Sequence, residues 1–228
     1  MSAEVKMFGR IRNFLRGIDQ GSFGDDEQLA LAESGELLVA NGASAYGEIT
    51  KMGRAFKAGT TTAVAAVVAI PTTAVGFAIY NNEPDGDGRS YIIDRVWAQN
   101  AVSTAVASQA QILVLVGQVR ETAPTNAMPA NALVSLSGMG GQDSKVRAIL
   151  TATALPGTTG LAGYWMPVGQ NGVKPGVAGT PGYGMEAWVN GHIIVPPGRY
   201  FAIHVLANVV GETFQMGIEW HEKLINIA

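Results

Sequence analysis

HIIVPPGRYFAIHVLANVVGETFQMGIEWHEKLI, residues 192–225, is the stretch that decides the fold. Between residues 213 and 222 every second position is apolar, Phe214, Met216, Ile218 and Trp220, while Thr213, Gln215, Glu219 and His221 alternate with them. That is the period of a half-buried strand. Neighbours along a strand cannot share a face, so the register places Trp220 in the core and His221, beside Glu219 and Lys223, on the wet side. Upstream, Phe201, Ile203 and Val205 alternate with Ala202 and His204. A short link containing Gly211 joins the two runs, and the pair reads as an antiparallel hairpin. Pro196, Pro197 and Gly198 stop residues 192–195 and turn the chain.

Working outward, the same texture fills the chain beyond Gly59. Residues 61–70, 73–80, 91–98, 109–119, 146–151, 161–168 and 186–189 read as further strands, rich in Val, Ile, Thr and aromatics and bounded by turn residues. Residues 112–116 are continuously apolar, which predicts burial on both faces. Such a series of short, turn-punctuated strands predicts an all-β fold, an antiparallel β-sandwich that is jelly-roll-like. Residues 123–142 and 169–184 read as long neutral loops, and loops of that length carry contacts.

The N-terminal part differs. Val5, Phe8, Ile11, Leu15 and Ile18 recur at helical spacing with Lys6, Arg10, Arg12 and Arg16 on other faces, which predicts an amphipathic helix. Its apolar stripe needs a surface: its own domain, a neighbouring subunit or a membrane. Gly17, Gly21 and Gly24 break the pattern, and an extended arm follows, with residues 37–39 and 46–49 its best short strands. The expected organisation is therefore a helix and attachment arm over residues 1–57 and a sandwich over residues 58–228.

Composition narrows the function. Of 228 residues 47% are hydrophobic and only 14% charged, against roughly 25% charged in ordinary soluble domains. Residues 1–57 hold 15 of the 33 charges, and residues 148–173 hold none. Interface cores are depleted in charge, so a neutral sandwich predicts a trimer or higher homo-oligomer. A net charge of −3 and the lack of a dense basic run argue against direct nucleic-acid binding. The absence of cysteine removes disulfides, thiolate metal sites and Cys nucleophiles. The longest apolar run, residues 63–70, is far short of a membrane span, and the start has no signal-peptide pattern, so a protein made and kept in the cytoplasm, or released by lysis, is expected.

No motif announces catalysis. His192, His204 and His221 fall in expected strands without metal-ligand spacing. Residues 81–88, NNEPDGDG, offer oxygens but not a calcium-loop spacing, and Asp-Gly pairs are ordinary turn chemistry. Gly138, Met139, Gly140 and Gly141 lack the phosphate-loop lysine pattern, and no nucleophile elbow is present. Tyr164, Trp165, Tyr183 and Trp188 lie near the long loops and suit either sugar stacking or a sandwich core.

The segments GELLVANGASAYGEITKMGRAF, TAVGFAIYNNEPDGDGRSYIIDRVWA and VNGHIIVPPGRYFAIHVLANVVGETFQMGIEWHEKL, in that order, resemble virion structural proteins of tailed bacteriophages, of the capsid cement, decoration or head-fibre kind. The resemblance implies a non-enzymatic, cofactor-free virion component assembled in the host cytoplasm. It implies a homotrimer with a jelly-roll-like domain that clamps neighbouring capsomers of the major capsid protein, Val5, Phe8, Ile11, Leu15 and Ile18 serving as the capsid-contact arm. The alternative is a fibre head that binds a host-surface receptor or glycan; separately, the three histidines leave open a cation shared between subunits at a symmetry axis.

Overall fold

The computed structural model describes residues 45–72, 74–84, 88–102, 106–117, 123, 133–137, 144–149, 153–154, 165–174, 176 and 182–225. Helix α1 (Ala45–Lys51) leads into β1 (Ala55–Gly59), β2 (Val64–Ala65), β3 (Ala74–Val75), β4 (Phe77–Tyr80) and β5 (Arg89–Val102). Next come β6 (Ser108–Val116), β7 (Leu133–Ser135), β8 (Arg147–Ile149) and β9 (Thr153–Ala154). The chain ends in β10 (Met166–Lys174), β11 (Gly184–Val195), β12 (Tyr200–Ala207) and β13 (Thr213–Leu224). The residues 1–57 boundary falls inside β1, and residues 43–228 form a compact unit. Val5, Phe8, Ile11, Leu15 and Ile18 lie outside the described residues.

Every named strand pair is antiparallel, as expected of the sandwich. One sheet runs β11-β5-β13-β1-β7 and the other β10-β6-β12-β4-β8. Eight of these strands form four nested pairs: β1 with β13, β4 with β12, β5 with β11 and β6 with β10. The first half of the domain thus pairs with the second half in reverse order, and successive strands from β10 to β13 alternate between the sheets. That is a long ribbon rolled into a jelly roll, with β7 and β8 added at the two edges.

The expected hairpin between the last two strands is not there. β12 pairs with β4 and β6, whereas β13 pairs with β1, β2 and β5, so the two lie in opposite sheets. Their alternating apolar sides are both buried, Phe201, Ile203 and Val205 in one sheet and Phe214, Met216, Ile218 and Trp220 in the other. Gly211, with φ of 95°, lets the link cross between layers. A period of two marks an inward face; it does not say whether the partner is beside the strand or across the core.

Between the sheets Trp220 is fully buried, its ring stacked 5.8 Å from Phe56 and tilted 6.0 Å from Tyr91. β6 is buried on both faces from Ile112 to Leu115, as its apolar run predicts. Its outward residues Leu113 and Leu115 join Val75, Ala78, Tyr80, Tyr200, Ala202 and Trp165 in a second core on the far side of the sheet. Trp165 closes that layer and donates its indole N–H to the Pro71 carbonyl at 2.9 Å.

Other expectations shift. Residues 46–49, read as a strand, are helical within α1. Residues 61–70 supply only β2 and an isolated bridge at Val67; Thr61, Thr62 and Ala63 carry too little inward apolar area to hold a longer strand. Part of the second long loop is β10, and residues 186–189 and 192–195 are one strand, β11, continued through a bulge.

Candidate functional site: a groove between two bulged edge strands

Among the described residues β10 and β11 are each an edge strand of their sheet, and they meet on the same side of the roll. Gly169, with φ of 72°, brings β10 so close that a Cβ there would sit 2.7 Å from the Glu186 carbonyl. Only glycine permits this approach in this conformation. The two strands enclose a groove of about 740 Å³ whose walls include Gln170, Asn171, Glu186, Trp188, Asn190 and His192.

Both walls are bulged. β10 slips register against β6 between Val168 and Gly172, and β11 slips against β5 between Trp188 and Ile193. Asn190 sits in the β11 bulge with φ of 50°, followed by Gly191 with φ of 76°, and among the described residues Asn190 is the one non-glycine at positive φ. Backbone strain of this kind persists only where its surroundings fix it. The Asn-Gly pair is the signal that could have located the bulge; instead it reads as a break between two strands.

Trp188 is 57% exposed. In register with it on β5 is Arg95, whose guanidinium carbon lies 5.2 Å from the centre of the indole. Arg95 is itself held between Glu186 at 3.7 Å and Glu219 at 3.6 Å. A cation braced by two carboxylates on the neighbouring strands thus supports one side of the ring, and Trp188 lines the groove while Arg95 does not.

The remaining anticipated residues go elsewhere. Trp165 is core, and Tyr183 is half-buried with its hydroxyl donating to Glu212 at 3.1 Å; Tyr164 and residues 138–141 lie outside the described residues. His204 is buried on the outer side of its sheet. His221 corrects the wet-face expectation. It does lie opposite Trp220, but it is 8% exposed and its Nδ1 stands 2.8 Å from an Asp94 carboxylate oxygen. Asp94 is the extra residue of a bulge in β5 opposite β13, which turns its side chain to the His221 side. Neither Asp94 nor Arg95 stood out in the sequence, because their partners are more than 90 positions away.

Two further buried polar clusters hold the roll together. Lys174 and Glu212, both at most 2% exposed, approach to 3.6 Å, and Ser108 donates to the same Glu212 oxygen at 2.7 Å. Burial, with the Glu212 charge beside it, pushes the Tyr183 phenol up to about 12. Glu222 accepts from Ser144 and lies 3.7 Å from Arg89, and burial raises its carboxyl above the ordinary range. Glu222 is 2% exposed. Among the described residues no three His, Asp or Glu side chains gather as a metal site.

Neither a protein-family model nor a curated protein matches the chain. Among solved structures it is similar to one described as a cryoEM structure of Mud Crab Dicistrovirus, at 12% identity over 91% of this chain and 86% of that one, with a TM-score of 0.23. A score of this size does not demonstrate a shared fold.

Proposed function

We propose that the protein is a structural component of a virion, a capsid cement or decoration protein whose rolled domain assembles with copies of itself and whose N-terminal arm holds it to the major capsid protein. The jelly roll is an architecture that capsid and lectin domains both use, and fold alone leaves that choice open. The observation that favours assembly is where apolar side chains remain exposed. Val106, Val173 and Val210 are 57%, 63% and 76% exposed. All three lie at the end of the roll where β6 begins, β10 finishes and the β12–β13 link turns, as the pairing of Val173 with Gln109 and the Ser108 to Glu212 hydrogen bond show. Surface valines scattered singly need no explanation, but several at one end of a lightly charged domain favour a partner surface. A second copy of the chain is the occupant we assign, in a homotrimer.

The arm completes this reading. Val5, Phe8, Ile11, Leu15 and Ile18 form one stripe at helical spacing. Seating it on a capsid protein would contribute roughly 1.5–3 kcal/mol per large side chain, less the cost of ordering the arm.

The test uses the full chain. Light scattering should find a trimer that Val173→Glu with Val210→Glu converts to a folded monomer. Phe8→Asp with Leu15→Asp should leave the trimer but lose binding to capsids that lack the protein. A wild-type chain that stays monomeric at micromolar concentration and also ignores such capsids would refute the proposal.

A further inference from the structure

We infer that the groove between β10 and β11 is a saccharide-binding site, with Trp188 as the stacking platform. The inference stands apart from the assembly role, since none of the three valines assigned to subunit contact, Val106, Val173 and Val210, lines this groove. The size of the groove, about 740 Å³, is in the range of small-molecule sites, roughly 300–1,000 Å³.

Its chemistry points to a hydroxyl-rich ligand. Gln170 and Asn171 on one wall and Asn190 on the other are exposed amides, each able to donate and accept, and Glu186 and His192 add an acceptor and an imidazole. That set satisfies vicinal hydroxyls. The planar, exposed Trp188 offers a flat apolar surface to the C–H face of a pyranose ring, and the Arg95 guanidinium, braced by Glu186 and Glu219, supports the indole from outside the groove.

The obvious competing occupant is a peptide that adds a strand to one of these edges. Strand addition needs a regular row of backbone donors and acceptors. Here both edges are interrupted, β10 between Val168 and Gly172 and β11 between Trp188 and Ile193, with positive φ at Gly169, Asn190 and Gly191. Bulges of this kind blunt an edge against pairing and re-aim side chains instead. The same feature that disfavours a peptide turns Asn190 toward the role of a ligand contact.

The experiment places the fluorescently labelled full chain on an array of bacterial, plant and animal oligosaccharides, and titrates the best-retained oligosaccharide calorimetrically. Trp188→Ala, which removes an exposed side chain, should keep the wild-type thermal transition and lose at least about tenfold in affinity. Trp188→Phe should retain part of it, and Asn171→Ala should weaken binding without affecting stability. Retention of no oligosaccharide by the wild-type chain overturns the inference. So does retention that Trp188→Ala leaves unchanged, or a peptide ligand that competes for the groove where sugars do not.

Discussion

At the residue scale the histidines show how position in the roll decides chemistry. His204 is 1% exposed, and its Nδ1 accepts the Val205 N–H at 2.9 Å, a bond that holds only while that nitrogen is unprotonated. Burial lowers its pKa from 6.5 to about 4. The unfolded chain therefore binds a proton between those values that the folded chain refuses, so the stabilising effect of neutral His204 is complete above about 6.5 and is lost as pH falls toward 4. The loss amounts to roughly 3 kcal/mol at 1.36 per pKa unit. Urea unfolding at pH 7, 5.5 and 4.5 should show it, and His204→Met should flatten the difference. His221 gives a second residue-level prediction. Removing its imidazole leaves the buried Asp94 carboxylate without a charge-assisted partner, so His221→Ala should cost about 1–3 kcal/mol, not the small change of a surface site. Trp220→Ala, which empties a fully buried indole site between Phe56 and Tyr91, should cost about 3–5 kcal/mol. Chemical denaturation measures both, and a loss for either variant no larger than about 0.5 kcal/mol, the size of a surface change, would contradict the burial of that side chain.

At the element scale the roll is tied where strands change sheet. Asn81, fully buried after β4, donates to the Arg89 carbonyl at 2.8 Å and the Val195 carbonyl at 2.9 Å, fixing the crossing into β5 and the end of β11 with one side chain. At the other end Glu212 gathers Ser108 of β6, Lys174 of β10 and Tyr183 just before β11. Glu212→Ala removes the counter-charge of buried Lys174 together with the acceptor of Ser108 and Tyr183, so it should destabilise by about 3–5 kcal/mol. Glu212→Leu combined with Lys174→Met should recover much of that loss, and thermal unfolding of the two variants would separate a charge penalty from simple loss of packing. The strands themselves were largely legible: the alternation over residues 213–222 locates β13, and the apolar run over residues 112–116 foretells the two-sided burial of β6. The partners were not. Alternation reports an inward face, so β12 and β13 read as a hairpin although they sit in facing sheets. The Asn190-Gly191 and Gly169 positions read as breaks although they are bulges within continuous strands. Of the candidate groove the sequence therefore shows only separate pieces, Trp188, His192 and the stretch 169–184. Its other walls depend on how β10 and β11 come together, which no local spacing encodes.

At the scale of the whole molecule, each half of the rolled domain is incomplete without the other, since β1, β4, β5 and β6 find their partners in β13, β12, β11 and β10. Such non-local pairing predicts slow folding, in the millisecond-to-second range or beyond, which stopped-flow refolding would time. The two main sheets cover each other's inner faces, and the exposed valines at one end and the Trp188 groove along one side are the surfaces to which we assign the proposed contacts. If the protein works on a particle as proposed, quantitative mass spectrometry of purified virions combined with cryo-electron microscopy will find it there. The expected result is a fixed copy number proportional to capsomer junctions, with the jelly roll seated as a trimer against the major capsid protein. Absence of the chain from purified particles, or a few copies confined to one vertex or the tail, would contradict it.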